Sequence, residues 1–151
     1  MAQSLAKILI HLIFPTKDRF PFLKEDNSRA ELHSYMAGIC KNQKAHALLI
    51  GGVADHVHLL CQLHSTCAVA ALIKEVKRSS TLWIKDKGGF LTKFSWQAGY
   101  GAFSIGQSQI EEVKKYIENQ TQHHHRQSYQ DEFREFLRLY EINYDEKYVW
   151  D

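Results

Sequence analysis

Hydrophobic residues in the first half of the chain recur with two different periods, which predict strands separated by a helix. Residues 5–14 alternate with a period of two and are largely apolar on both faces, which predicts a strand buried on both sides. Residues 28–31 have the form of a capping box and precede apolar residues at helical spacing, which predicts the first helix. Residues 47–53 and 56–63 then predict two strands joined by a turn at Gly51 and Gly52.

The second half continues with the same kinds of element. Val69, Leu72, Ile73 and Val76 form the apolar stripe of a second helix, and residues 94–105 predict a fourth strand that is broken by a bend or bulge. A capping box at residues 108–111 opens a helix that contains Tyr116, and a last short helix surrounds Phe133. This order predicts an α+β fold: a ferredoxin-like antiparallel sheet with helices packed on one face, plus a C-terminal tyrosine-bearing helix. No linker or repeat divides residues 1–151, so we expect a single domain.

Composition narrows the classes of protein without naming a function. The chain has 151 residues, of which 44% are hydrophobic and 24% charged, and its net charge is +2. Any nucleic-acid footprint must therefore come from local clusters of basic residues. The three cysteines have no metal-ligand spacing and indicate reduced thiols in a cytoplasmic protein. We also expect no signal peptide and no membrane span, since no segment approaches the ~20 apolar residues that a span requires.

The most informative local pattern is His56-Val57-His58 within a predicted strand. Alternate side chains of a strand share a face, so His56 and His58 would lie together while Val57 and Leu59 point into a core. Two neutral imidazoles on one face suit a divalent metal. The alternative is a pair of histidines on the solvated face of an edge strand, and spacing alone does not separate the two interpretations.

Downstream, Tyr116 and Gln120 lie four residues apart in a helical pattern and so share a face. A His-hydrophobic-His pair followed by a helical Tyr-x-x-x-Gln resembles the HUH single-tyrosine transposases of the insertion sequence 200/605 type, including their REP-associated relatives. The resemblance covers nearly the whole chain, and it also includes residues 73–80, 94–104, 123–124 and 144–150.

The resemblance implies a reaction and a set of site residues. It makes Tyr116 the nucleophile, and His56, His58 and Gln120 the ligands of a divalent cofactor, Mg²⁺ or Mn²⁺. A tyrosine hydroxyl with an ordinary pKa of ~10 is a poor nucleophile, and a metal helps by polarising and positioning the scissile phosphate. The implied activity is metal-dependent cleavage and strand transfer of single-stranded DNA through a 5′-phosphotyrosine intermediate. The implied partners are single-stranded or hairpin DNA at transposon or repeat ends and a second copy of the chain, in the bacterial cytoplasm with the nucleoid.

Other candidate residues keep two interpretations each. His123 lies on the same helical face as Tyr116 and Gln120 and could be a further ligand or a phosphate contact, or part of a solvated helix end. Asp55 could orient a ligating imidazole or simply be a turn residue. Lys74, Lys77, Arg78 and Lys85 align on the second helix and predict a DNA-binding face, although a charged helix face is usually only solvated.

Two further expectations concern assembly and alternative functions. The glycine-broken fourth strand would be an exposed edge, and pairing it with its copy would join two subunits into a homodimer. One alternative function is a domesticated ferredoxin-like module that binds nucleic acid without transposition. The other is a nickase related to relaxases or replication initiators, which share the His-x-His logic.

Overall fold

A computed structural model describes residues 2–124 and 126–151, with the side chain of His123 outside that description. Within these residues, strands β1 to β4 span Ile8–Pro15, Ala45–Val53, His56–Leu63 and Gly101–Ile105. Helices α1 to α5 span Asp26–Asn42, Val69–Lys85, Ile110–Glu118, Gln120–His123 and Tyr129–Leu139. Short 3-10 helices span Lys17–Arg19, Gly89–Lys93 and Gln107–Gln109.

The four strands form one antiparallel sheet in the order β2-β3-β1-β4. The two strands of the first β-α-β unit, β1 and β2, therefore lie on either side of β3, as the ferredoxin-like motif requires. β1 and β3 are central and pair over their full length, from Ile8 opposite Leu63 to Pro15 opposite His56. The predicted α+β fold is confirmed.

The first face of the sheet packs against α1 and α2. Alternate residues of β1 and β3, among them Leu12, Phe14, Val57 and Leu59, point to this face and are fully buried. Their partners are the apolar stripes of the two helices: Leu32, Met36, Ile39 and Cys40 from α1, and Leu72, Ile73, Val76 and Ile84 from α2. Burial of these aliphatic and aromatic groups is the main stabilising contribution of this layer.

The C-terminal helices cover the second face. Ile13 and Phe103 of the sheet form a separate cluster with Tyr129, Phe133 and Leu137 of α5. Helix α3 lies on β2, where Gly51 permits close contact: a Cβ at Gly51 would come within 2.7 Å of Ile117 Cγ2. Since Ile117 adjoins Tyr116, this contact fixes the height of the tyrosine above the sheet.

Three local predictions were misplaced. β4 begins at Gly101 rather than at residue 94, because Trp96 forms only an isolated bridge with Thr16. Helix α1 begins at Asp26, two residues before the predicted cap Ser28, whose hydroxyl donates to Glu25 at 2.6 Å. Before α3, the side chain of Gln109 accepts from the Gly106 amide at 2.8 Å, in place of the predicted Ser108 cap.

None of the described helices combines the length and the apolar character needed to cross a membrane.

Candidate active site

His56 and His58 lie side by side on β3 and face the second side of the sheet. Their ring centroids are 5.2 Å apart, and both side chains are 0% exposed. The strand alternation was predicted correctly, as Val57 and Leu59 point into the first core. The alternative of a solvated face is wrong, because α3, α4 and α5 fold over these histidines and exclude water from them.

Three imidazoles converge on one buried carboxylate, Glu132 of α5. Glu132 Oε1 lies 3.1 Å from His58 Nε2 and 3.4 Å from His56 Nε2. Its second oxygen, Oε2, lies 3.1 Å from His124 Nε2. Glu132 is only 1% exposed, so these groups compensate one another's burial.

In each of the three histidines, Nδ1 forms a hydrogen bond with a group outside the cluster. His56 Nδ1 donates to Asp55 Oδ1 at 2.7 Å, and His124 Nδ1 donates to the Gln127 carbonyl at 2.7 Å. His58 Nδ1 hydrogen-bonds to His11 Nε2 at 2.8 Å. Such contacts at Nδ1 fix the ring orientation and turn Nε2 inward, which is the arrangement that metal-binding histidines adopt.

Tyr116 and Gln120 meet this cluster from the opposite side. The Tyr116 hydroxyl donates to Glu132 Oε2, and the tyrosine ring centroid lies 5.8 Å from that of His58. Gln120 Oε1 accepts from His56 Nε2 at 3.1 Å, while its amide nitrogen lies 3.3 Å from Glu132 Oε2. α3 ends at Glu118 and α4 begins at Gln120, yet the two side chains still face the same centre. One chain therefore brings together Tyr116, Gln120, His56 and His58.

Burial and charge set the protonation of this cluster. Burial lowers the pKa of His56, but hydrogen bonds to Asp55 and Glu132 outweigh that effect and raise it to about 9. Burial lowers the pKa of His58 to about 4 despite the nearby carboxylate. Burial opposes ionisation of Glu132, but hydrogen bonds from His124, His56 and His58 hold its pKa well below the usual range. Burial, followed by the Glu132 charge, raises the pKa of Tyr116 well above that of a free phenol.

The donor atoms of His56, His58, His124 and Glu132 all lie within 4.8 Å of one another, so they could hold a metal ion together. Three imidazole nitrogens and one carboxylate oxygen form a set that suits a divalent transition-metal ion better than Mg²⁺, which prefers oxygen ligands. The amide oxygen of Gln120 faces the same centre and lies 3.1 Å from His56 Nε2. The chemistry of the donors therefore fits the expected divalent cofactor.

The remaining predicted residues are placed differently. Asp55 contacts His56 directly, whereas the side chain of His123 is outside the described part of the chain. Lys74, Lys77, Arg78 and Lys85 belong to α2, which packs on the first face of the sheet, away from the histidines. Lys77 Nζ donates to the carbonyls of Gln97, Ala98 and Gly99 at 2.6, 3.2 and 2.9 Å, so its ammonium is engaged within the chain.

Three members of the site were absent from the sequence-based prediction: Glu132, His124 and His11. Glu132 shares a helical face with Tyr129, Phe133 and Phe136, and a carboxylate on such an apolar stripe is a detectable signal. His124 was hidden in the run of histidines at 123–125 and in the interpretation of that run as a solvated helix end. His11 shares a face of β1 with Ile13, and Ile13 is paired with His58, so only the register of β1 against β3 reveals that His11 lies diagonally beside His58.

The chain matches a known protein family and resembles two solved structures. The family model described as "Transposase IS200 like" matches residues 4–120. A putative transposase from Deinococcus radiodurans R1 has a similar structure, with a TM-score of 0.63 and 22% identity over 80% of this chain and 95% of that one. A REP-associated tyrosine transposase bound to a REP hairpin superposes with a TM-score of 0.61 and 14% identity over 82% of this chain and 73% of that one. These two likenesses show a shared fold. No curated protein sequence matches the chain significantly.

Proposed function

Because the chain belongs to the IS200-like transposase family, we propose that it cleaves and rejoins single-stranded DNA through a covalent bond to Tyr116. The observation that carries the proposal is the convergence of Tyr116 and three oriented histidines on Glu132, all within one chain. A purely DNA-binding module would have no need to bury so many ionisable groups against one another, since each is costly to desolvate.

The cofactor we propose is a divalent metal ion, Mn²⁺ or Mg²⁺, held by His56 and His58 with Gln120, His124 and Glu132 as the further donors. When bound, it would polarise the scissile phosphate and neutralise charge that develops there. Asp55, His11 and the Gln127 carbonyl keep the Nε2 atoms of the three histidines directed inward. The family's two histidines and glutamine are thus supplemented here by a third histidine and a carboxylate.

Tyr116 must lose its proton in order to attack, and Glu132, whose pKa is held well below the usual range, would orient the hydroxyl for attack rather than keep its proton. The hydroxyl already donates to Glu132 Oε2, whereas Oε1 faces His56 and His58. In the proposed step, Tyr116 Oη forms a bond to phosphorus while the bond from phosphorus to the 3′ oxygen breaks. The phenolic proton is released to solvent, and the departing 3′ oxygen takes up a proton from water to become a hydroxyl. Rigid placement of Tyr116 favours this in-line reaction.

Rejoining is the same step in reverse, with a 3′-hydroxyl attacking a phosphotyrosine, so no external energy source is required. The DNA partners we propose are single-stranded or hairpin ends, and the printed description of the REP-associated relative names a bound hairpin. Lys74, Arg78 and Lys85 remain proposed DNA contacts, with Arg78 also paired to Glu75 at 2.5 Å. This activity would place the protein with DNA in the bacterial cytoplasm.

A homodimer remains part of the proposal. β4 is an edge of the sheet, and pairing it with its copy would extend the sheet across a two-fold axis. Tyr140 already donates to the Ser104 carbonyl at 2.8 Å, so one edge acceptor would have to be shared. Light scattering at micromolar concentration should give about twice the 17.6 kDa of one chain; a single-chain mass would contradict the dimer.

The covalent adduct is the direct test of the proposed reaction. Single-stranded flanks of the protein's own gene, incubated with the protein and Mn²⁺, should yield a DNA-linked band on a denaturing gel. We expect Tyr116→Phe to bind DNA but to form no adduct, because only one oxygen is removed. Excess EDTA should also abolish the adduct.

Tyr129→Phe is the matched control, because Tyr129 is buried with its ring centroid 4.8 Å from that of His56, yet within the described part of the chain its hydroxyl forms no hydrogen bond to Glu132. This variant should retain the adduct. A DNA-linked peptide without Tyr116 would contradict the assigned nucleophile. Tight DNA binding with no adduct under any metal would favour the non-catalytic binding module instead.

A further inference from the structure

Three phenylalanines form an exposed cluster at the end of the sheet where β3 begins with His56. Phe20 and Phe90 are 52% and 57% exposed, which is unusual for side chains of this size. Phe22 joins them: its ring centroid is 4.5 Å from Phe20 and 6.3 Å from Phe90, and the rings of Phe22 and Phe90 are parallel within 2°. We call Phe20, Phe22 and Phe90 the aromatic platform.

The platform is held rigidly although it is exposed. Phe22 packs on the fully buried Phe94 with ring centroids 5.2 Å apart, which anchors the platform to the first core. The Phe20 carbonyl accepts from Thr16 Oγ1 at 2.6 Å, and the Lys17 amide donates to the Ser95 carbonyl at 2.9 Å. The two loops that carry the platform are therefore tied to each other and to β1. Rigid, exposed aromatic rings lose little freedom when they bind a ligand.

The same loops contain residues in costly backbone conformations. Asp18 and Arg19, neither of them glycine, have φ values of 55° and 57°. A left-handed conformation costs an L-residue about 1–2 kcal/mol, and such strain concentrates at functional sites. The strained turn directly precedes Phe20 and directs it outward.

Positive charge borders the platform. Lys17 and Lys93 line the same groove of about 450 Å³ as the three rings and are exposed; Asp18 also lines this groove, which leaves it with a net positive charge. In the described part of the chain, neither ammonium forms an ion pair with a carboxylate. Aromatic rings beside unpaired lysines match the chemistry of a single nucleic-acid strand, whose bases stack while its phosphates are neutralised.

The platform is also connected to the candidate active site. The Thr16 amide donates to the Asp55 carbonyl at 2.8 Å, and the Leu23 amide donates to the Ala54 carbonyl at 2.9 Å. These bonds attach the Phe20 loop to the turn that precedes His56. The platform therefore lies at the same end of the sheet as His56.

We propose that Phe20, Phe22 and Phe90, with Lys17 and Lys93, form a stacking site for unpaired bases of single-stranded DNA. The inference rests on the proposed function, because the ligand is the strand that would be cleaved. It adds a sequence-tolerant contact for the flanking nucleotides, separate from the metal and from Tyr116.

Binding of fluorescently labelled oligo-dT in EDTA tests the platform without the reaction. Phe20→Ala and Phe90→Ala should each weaken binding about fivefold or more, and the double variant should weaken it further. Phe90→Trp should retain binding, whereas Phe90→Leu, which keeps an apolar side chain, should not. Lys17→Gln with Lys93→Gln should lower the log-log salt slope by up to about 1.4. Affinity for blunt duplex DNA should change little with the Phe substitutions, because its bases are already stacked.

Tyr35→Ala is the matched control, since Tyr35 is an exposed ring stacked on Trp83 beside Glu31 and Lys87. It should bind oligo-dT like the unmodified protein. Equal loss in Tyr35→Ala, or no loss in the Phe20 and Phe90 variants, would overturn the proposal. So would conversion of a dimer to a monomer by Phe20→Ala, which would make the platform a subunit contact. The unmodified protein could also fail to form an adduct while the Phe20 and Phe90 variants still lose oligo-dT binding. That result would support the platform and refute the proposed catalysis.

Discussion

The two faces of the sheet are buried to a similar extent but carry different chemistry. Toward α1 and α2, β1 and β3 present Leu12, Phe14 and Leu59, which exclude water and need no polar partner. Toward the C-terminal helices, the same strands present His11 and His58, which must be hydrogen-bonded when buried, and are. Adjacent positions of one strand thus have different roles. One set of side chains stabilises the fold, and the alternate set supplies a candidate metal site, although burying its polar groups costs desolvation energy.

Leu59 and His58, neighbours that point to opposite faces, give the largest expected contrast. Leu59→Ala removes a fully buried side chain and should lower the free energy of unfolding by about 2–5 kcal/mol. It should leave intact the rise in Tm that Mn²⁺ produces by binding the folded state. His58→Ala should abolish that rise and the covalent adduct together. Thermal melts with Mn²⁺ and with EDTA measure both effects.

A metal response that survives in His58→Ala would show that the ion binds elsewhere. Its disappearance in folded Leu59→Ala would show that the two faces are not independent. His56→Ala should abolish the metal response in the same way. Because both histidines are 0% exposed and contact Glu132, each replacement should also lower the unfolding free energy.

The pH dependence of stability in metal-free protein reports chiefly on the polar face between pH 6.5 and 8, because on the apolar side Lys77 titrates near pH 8 and His33 near pH 4. His56 has a pKa of about 9 in the fold and ~6.5 when unfolded, so its stabilisation is present below pH 6.5 and lost as the pH rises through 9. His58, with a pKa of about 4, acts oppositely: stability falls as the pH drops from ~6.5 toward 4. Stability should therefore peak near pH 6.5 and fall by about 2 kcal/mol toward pH 8, above which the lowered pKa of Lys77 opposes the further decline.

Urea unfolding at a series of pH values measures this profile. Mn²⁺ should flatten its alkaline side, because the metal binds neutral imidazole and displaces the proton of His56. His56→Gln should remove the alkaline decline even without metal. An alkaline decline of equal size in His56→Gln would assign the effect to another group.

The sequence predicted the contacts between residues that are close together in the chain, but not those between residues that are far apart in it. The β3 alternation and the spacing of Tyr116 and Gln120 depend on neighbours within one strand or helix, and both were predicted. Glu132 joined the site only because α5 folds back over β3, a contact across 74 residues between His58 and Glu132, and His124 joined it from the end of α4. The solvated interpretation of His56 and His58 failed for the same reason. The fourth strand is shorter than predicted, since the carbonyls of residues 97–99 accept hydrogen bonds from the Lys77 ammonium instead of from a neighbouring strand.

Gly51 and Gly38 are two glycines in different surroundings: Gly51 packs against α3, the helix that carries Tyr116, whereas Gly38 packs against nothing. At Gly51 a Cβ would lie 2.7 Å from Ile117 Cγ2, so Gly51→Ala must displace α3 or strain the packing. We expect a loss of about 1–3 kcal/mol in unfolding free energy, and slower adduct formation because Tyr116 moves with α3. Gly38 lies within α1 with nothing within 4 Å of its Cβ direction, so Gly38→Ala should stabilise by about 0.5–1 kcal/mol. Unchanged adduct rates in Gly51→Ala would mean that α3 is not positioned by this contact.

Lys77 and Lys74 provide the finest comparison, since both were predicted to contact DNA from one helix on the apolar side of the sheet. Burial lowers the pKa of Lys77 to about 8, and its ammonium holds three carbonyls of the 97–99 segment. Lys77→Met should therefore lower the unfolding free energy by about 1–2 kcal/mol and leave the salt dependence of DNA binding unchanged. Lys74 is exposed, so Lys74→Met should leave stability unchanged and reduce the log-log salt slope by about 0.7 if it contacts a phosphate. Denaturant titration and binding at several salt concentrations separate the two roles; a reduced slope in Lys77→Met at full stability would return Lys77 to the DNA-binding face.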